Sequence, residues 1–247
     1  MKYSIAPFFA LTAASPRPSI VGGSEVSIED YPYQIALLHG GRFSCGGSII
    51  SHNYVITAAH CVLTASASEL DIRAGSSFCD SGGSVVNISS IAIHPKYDTV
   101  TFENDIAILK LAESVTYGPG IGPVGIPHNG SGLPSNGEEV VVSGWGAVHE
   151  GGAPSTKLRA VNVSTMNTKE CKALYQDWKP IADSMFCAGV PEGGKDSCAG
   201  DSGGPAVANG ILSGIVSWGH GCARKEYPGI YSSTTYLRGF IGNITGL

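Results

Sequence analysis

Charge is scarce in this chain of 247 residues: Asp, Glu, Lys and Arg together make up 14% of it. No basic run is long enough to form a nucleic-acid surface. Beyond the N-terminus, no stretch is apolar for long enough to cross a membrane as a helix. The seven cysteines form no CxxC or CxxH pair, which argues against zinc. No segment repeats at a fixed period, and helical patterns are few. What the chain does have is apolar residues, 43% of the total, with 34 glycines and 14 prolines. That apolar share supports a packed core and excludes a disordered chain. The glycines and prolines suit many short strands joined by turns. Net charge is −5, and the length allows one large all-β domain or two small ones.

Cysteines without metal spacing are read as disulfide formers, which need an oxidising compartment. The odd count leaves one over. The N-terminus agrees with export. Lys2 precedes a short apolar run, Ile5–Ala14, that ends in small residues. Residues 1–14 therefore read as a signal peptide. Residues 15–19 are proline-rich and extended, and Ile20-Val-Gly-Gly23 follows as an apolar start and a turn.

Short strands are predicted at Gln34–His39, Gly47–Ile50, Tyr54–Thr57, Leu70–Ala74, Val85–Ile93 and Asp105–Leu111. A second series is predicted at Glu139–Ser143, Leu158–Thr165, Pro205–Ala208, Ile211–Trp218 and Gly229–Ser232. Such spacing points to sandwiches or barrels. Glycine- and proline-rich segments at 118–123 and 129–134 separate the two series as a linker between halves. Asn167 and Glu170 have capping-box spacing and open a short helix through Tyr175. Tyr236, Leu237, Phe240, Ile241 and Ile244 form one helical face at the C-terminus, read as core packing.

Three stretches carry chemistry. Gly200-Asp-Ser-Gly-Gly-Pro205 sets Ser202 among glycines, on a turn open enough to expose its hydroxyl. A serine is a poor nucleophile without a base. Thr57-Ala-Ala-His60-Cys61 supplies a histidine, the side chain suited to proton transfer near neutral pH. Asn104-Asp105-Ile-Ala-Ile places a carboxylate at the start of an apolar strand, able to orient a ring N–H. Taken singly, each also reads as an ordinary turn or core residue. Together they are the three roles of an acyl-transfer site.

These motifs, with Ile20-Val-Gly-Gly, Gly144-Trp145-Gly146 and Ser217-Trp218-Gly219, resemble the chymotrypsin-like serine proteases, in that family's order along the chain. The resemblance implies an all-β fold of two six-stranded antiparallel β-barrels with a C-terminal helix. The barrels would span about 20–125 and about 126–247, after a short propeptide at 15–19. It implies His60, Asp105 and Ser202 as catalytic residues, with the N–H groups of Gly200 and Ser202 as the oxyanion hole.

By position Asp196 matches the base of a trypsin-type pocket, and Gly219 and Gly229 match its small walls. That implies cleavage after Arg or Lys. Ser217-Trp218-Gly219 would lend a backbone edge to the substrate. Trp218 is read either as a wall of the cleft or as core. The family also implies that a freed Ile20 amine pairs with Asp201. Here Ser19 precedes Ile20, and the nearest basic residue, Arg17, is followed by Pro18. Self-activation therefore does not fit, and another protease is expected to release Ile20.

The family pairing of cysteines would be Cys45–Cys61, Cys171–Cys187 and Cys198–Cys222. Cys79 is left over; burial is the ordinary reading of such a cysteine, and its polar loop makes exposure plausible. That loop offers only Asp80 as a carboxylate, so no calcium and no other metal or cofactor is expected. Asn87, Asn129, Asn162 and Asn243 begin glycosylation sequons, some of which strand or helix burial would veto. Expected partners are protein or peptide substrates with Arg or Lys, and protein protease inhibitors. A nucleic acid, a membrane and an oligomer are not expected. The alternative, a non-catalytic homologue acting as a binding module, fits poorly, since all three catalytic positions and Asp196 are kept.

Overall fold

Among the strands of the first half of the chain, alternation is clearest at Leu70–Ala74. Along Leu70–Ala74 the side chains of Leu70, Ile72 and Ala74 are buried, and Asp71 and Arg73 between them are half-buried. That is the period of two expected of a strand with one face on a core. The computed structural model describes residues 20–247. The signal peptide and propeptide expected at 1–14 and 15–19 lie outside the described residues.

The first barrel is built from β2 (Gln34–His39), β3 (Arg42–Ile49), β4 (Tyr54–Thr57), β5 (Leu70–Ala74), β6 (Ser84–Ile93) and β7 (Ala107–Leu111). It closes in the order β2-β3-β4-β7-β6-β5. Every pairing is antiparallel. The second contains β8 (Glu139–Gly144), β9 (Arg159–Met166), β10 (Met185–Gly189), β11 (Pro205–Ala208), β12 (Ile211–Trp218) and β13 (Gly229–Ser233). Its order is β9-β10-β13-β12-β11-β8, and β8 pairs back onto β9 to close it. These are the two six-stranded antiparallel barrels that the motifs implied. A two-residue strand, β1 (Ser24–Glu25), adds to the edge at β9 through Ser24↔Ala160 and Glu25↔Arg159. The first described residues thus cross over to the second barrel.

Each barrel has its own core. Ile35, Leu37, Ile49, Val55, Ile72 and Leu109 fill the first. Val140, Val142, Val163, Phe186 and Val216 fill the second, joined by Ile20. Each such side chain contributes about 1.5–3 kcal/mol when fully buried. A third cluster joins the barrels, with Ile56 and Ile108 facing Leu212 and Ile215. Polar pairing also crosses this seam: Ser143 donates to the buried Gln34 Oε1 at 2.7 Å. A cleft lined by residues of both barrels follows the same junction.

One helix follows expectation and the other departs from it in part. α1 (Thr168–Tyr175) starts as its cap predicts, with Asn167 Oδ1 accepting from the Lys169 N–H at 2.9 Å. α2 (Arg238–Thr245) buries only part of its apolar stripe. Leu237 and Ile241 enter the seam between barrels, whereas Tyr236 and Ile244 are exposed. Of the two readings of Cys79, burial holds: it packs against Ile28, Leu38, Trp145 and Leu158. Apolar neighbours recruited from distant segments outweigh the polar loop around it. All four sequon asparagines are exposed, so burial vetoes none. Disulfides join Cys45–Cys61, Cys171–Cys187 and Cys198–Cys222.

Candidate active site

His60 sits in a single 3-10 turn, Ala59–Cys61, directly after β4. The Cys45–Cys61 disulfide ties that turn to β3. Asp105 lies two residues before β7 rather than within it, and is fully buried. Three donors hold its carboxylate. Oδ1 accepts from the His60 backbone N–H at 2.9 Å, and Oδ2 accepts from His60 Nδ1 at 2.7 Å. Ser217 Oγ also donates to Oδ2, at 2.5 Å. A buried carboxylate is costly unless hydrogen-bonded, and these donors leave it one direction in which to hold the imidazole. Nδ1 is then engaged and Nε2 is left to face the cleft. Nε2 also lies 3.7 Å from Cys61 Sγ. That sulfur and Cys45 Sγ are spent in a disulfide, so the cluster is not a thiolate metal site.

Ser202 is carried on a turn clamped between the barrels. The Gly46 N–H donates to the Ser202 carbonyl at 2.8 Å, and Gly203 N–H donates to Val216 O at 2.8 Å. Gly200 and Gly203 take φ of +100° and +78°, angles that glycine adopts without a steric penalty. A Cβ at Gly203 would also collide with Thr57. Among the described residues the N–H groups of Gly200 and Ser202 donate to no protein acceptor. Ser202 and His60 line one cleft of about 430 Å³. No hydrogen bond joins them among the described residues.

Asp196 lies in the same cleft and is 2% exposed. Burial raises its pKa from the ordinary 3.8 to about 7, against the hydrogen bonds it accepts. One comes from the Ala223 N–H at 2.9 Å. Ala223 reaches that position at φ +55°, a left-handed angle uncommon for a residue with a Cβ. A Cβ on Gly229 would stand 2.6 Å from Asp196 Oδ1, so only glycine leaves this space open. No cation pairs with Asp196 among the described residues. Gly219 and Trp218 form the adjoining wall. Trp218 is both wall and core. It lines the cleft, and its ring packs edge-on to the buried Tyr175 at 5.3 Å. Its Nε1 is buried and has no hydrogen-bond partner among the described residues.

Asp201 points the other way, into the second barrel, and is fully buried. Its carboxylate accepts from Gly146 N–H at 2.8 Å and Cys198 N–H at 3.0 Å. Burial raises its pKa to about 7. A Cβ on Gly144 or Gly146 would run into this carboxylate, which explains the glycines flanking Trp145. Ile20 is also fully buried, and the Asp196 N–H donates to Val21 O at 3.1 Å. The segment after Ile20 therefore touches the segment that carries the pocket.

Sequence reasoning missed two contributors and one role. Ser217 is expected to lend backbone to a substrate; in addition, beside a register shift between Val216 and Trp218, its hydroxyl donates to Asp105. Phe102 lines the cleft with its ring centroid 5.6 Å from that of His60. Ala223 supplies a backbone N–H. No local pattern marks Phe102 or Ala223, because both act through loop conformation.

A family model described as Trypsin matches residues 20–241. Similar proteins include a vitellin-degrading protease of Bombyx mori, 41% identical over 243 residues, covering 96% of this chain and 92% of that protein. Trypsin 5G1 of Aedes aegypti is 42% identical, covering 92% of this chain and 85% of its own. Trypsin delta of Drosophila melanogaster is 44% identical, covering 90% and 87%.

Proposed function

The chain belongs to the trypsin family of serine endopeptidases, and from that premise we propose a secreted enzyme that cleaves after Arg or Lys and is switched on by release of Ile20. It acts on protein substrates. Ser202 Oγ attacks the scissile carbonyl while His60 Nε2 takes its proton. Asp105 orients His60 and stabilises the imidazolium. The unengaged N–H groups of Gly200 and Ser202 receive the oxyanion, where each donor is worth about 3 kcal/mol of barrier. His60 then gives its proton to the leaving amine, and water hydrolyses the acyl-enzyme by the reverse sequence. The Ser202–His60 bond forms with substrate, as catalytic bonds in resting sites commonly do.

The observation that carries the specificity is Asp196: a carboxylate buried at the base of the cleft, under Gly229, with no cation. Substrate Arg or Lys supplies the missing charge. The test compares two peptides differing only in Arg or Phe before the scissile bond. Wild type should favour Arg by a factor of at least about 10³, and Asp196→Ser should erase most of that preference. Equal rates on both peptides in the wild type would reject the assignment.

The precursor reading comprises a signal peptide at 1–14, a propeptide at 15–19 and a protease domain at 20–247. It rests on Asp201, a buried carboxylate that a freed Ile20 amine would neutralise. Ile20 also has a φ of +34°, uncommon for a β-branched residue. Cleavage before Ile20 removes the peptide bond that defines that angle. Ser19 is a poor site for an Arg/Lys-specific enzyme, so a different protease makes the cut. The three disulfides accord with an oxidising, extracellular setting.

A further inference from the structure

Beside the cleft stands a cation the mechanism does not use. Lys179 Nζ lies 4.3 Å from the Phe102 ring centroid and 4.9 Å from that of Trp218. The Trp178 ring is 6.0 Å away. Phe102 and Trp218 both line the cleft, and Phe102 also packs edge-on to His60. The ammonium is thus held at the mouth of the site on two aromatic faces, an attraction that strengthens as water is removed. Ring faces orient a cation without neutralising it.

No carboxylate lies within salt-bridge distance of Lys179 among the described residues. Its pKa is lowered by burial alone, with no contribution from a neighbouring charge. Two cations elsewhere in the second half are paired, Lys172 with Asp183 and Arg224 with Glu150. Lys179 is half-buried, so its charge is only partly solvated.

We propose that Lys179 is a specificity residue that receives an acidic side chain of the substrate, carried a few residues before the scissile bond. The inference rests on the Arg/Lys reading above and extends it. A peptide paired with the Ser217–Gly219 edge passes Trp218 and Phe102 on its way to Ser202, and its upstream side chains alternate between the two sides of the strand. One of them meets the aromatic cage. A carboxylate there gains a charge-assisted bond to an ammonium already fixed in place, so less side-chain entropy is lost than for a free surface lysine. A basic side chain at the same place meets like charge and is disfavoured.

The test uses peptides ending their unprimed side in Arg, with Ala, Asp, Glu or Lys placed in turn at each of the preceding positions. At one position the Asp or Glu peptide should exceed the Ala peptide in kcat/KM by about three- to tenfold, and the Lys peptide should fall below it. The gain should shrink as salt rises. Lys179→Met should bring the acidic-to-Ala ratio to about one. Lys179→Arg should restore it, and Lys179→Glu should invert it towards Lys. Cleavage of the Ala peptide with no acidic preference at any position overturns this inference alone. So does a preference that Lys179→Met leaves unchanged. Failure to cleave after Arg overturns the Arg/Lys reading and this inference with it.

Discussion

Asp196 and Ser217 show how single side chains are tuned by what surrounds them. Burial holds the Asp196 carboxyl at about 7, above its ordinary 3.8. Between those values the empty pocket carries a proton, and a bound cation selects the ionised form. Binding of a small guanidinium ligand should therefore release close to one proton at pH 6 and almost none at pH 8.5. Calorimetry in buffers of different ionisation enthalpy reads this directly. Zero release at pH 6 would mean that Asp196 is already ionised when empty. Ser217 makes a different kind of contribution. Its hydroxyl is one of three donors on the Asp105 carboxylate. Ser217→Ala should lower kcat by about tenfold, the scale of one hydrogen bond to a charged group. A rate within twofold of wild type would show that the two His60 bonds suffice.

Among the elements, the loop at 219–224 forms the pocket wall, and three attachments hold it. Ala223 N–H reaches Asp196, Gly194 N–H donates to Ala223 O at 2.9 Å, and the Cys198–Cys222 disulfide ties it to the serine loop. A fourth comes from outside the pocket. Arg224 Nε donates to Glu150 Oε2 at 2.9 Å and Cys222 N–H donates to the same oxygen at 3.3 Å, joining the wall to the loop after Gly146. Glu150→Gln should raise KM for Arg peptides about two- to fivefold, with a smaller effect on kcat. The charge-reversed pair Glu150→Arg with Arg224→Glu should recover part of the loss. Equal KM in wild type and Glu150→Gln would show that the other attachments carry the wall. Legibility divides along the same line. Strands with alternating or sustained apolar residues were readable, as at Gln34–His39 and Ile211–Trp218, whose bounds match. β10 was not, because Met-Phe-Cys-Ala-Gly is short, carries no period and has no β-branched residue to mark it as a strand. That His60, Asp105, Ser202 and Asp196 gather at one cleft was readable because they lie in short local motifs. Phe102, Lys179 and the Glu150 link were not, since each acquires meaning only through contacts between loops distant in sequence.

At the scale of the molecule, the proposed activation would couple the chain's beginning to its active site through Asp201. In the intact chain its carboxyl is buried, with a pKa of about 7. Unfolding lets it ionise at its ordinary value near 3.8. Between those pH values the folded state keeps a proton that the unfolded chain has lost. Its contribution therefore lowers stability as pH rises through the window and levels off above about 7. In an uncleavable chain with Ser202→Ala, adding Asp201→Asn should raise Tm by several degrees at pH 8, with the gap closing towards pH 4. A Tm gap independent of pH would show that Asp201 does not titrate in this window. Under the proposed activation, a freed Ile20 ammonium would neutralise Asp201, and the same substitution should then be damaging. That pairing is proposed to turn on Ser202 as a nucleophile. The most direct measurement is fluorophosphonate labelling before and after release of the Ile20 amine, with the labelled residue identified by mass spectrometry. The account predicts one label per chain, on Ser202, appearing after release and lost when the Ile20 amine is acetylated. Equal labelling of the intact chain, or a released chain that takes up no label, would contradict it.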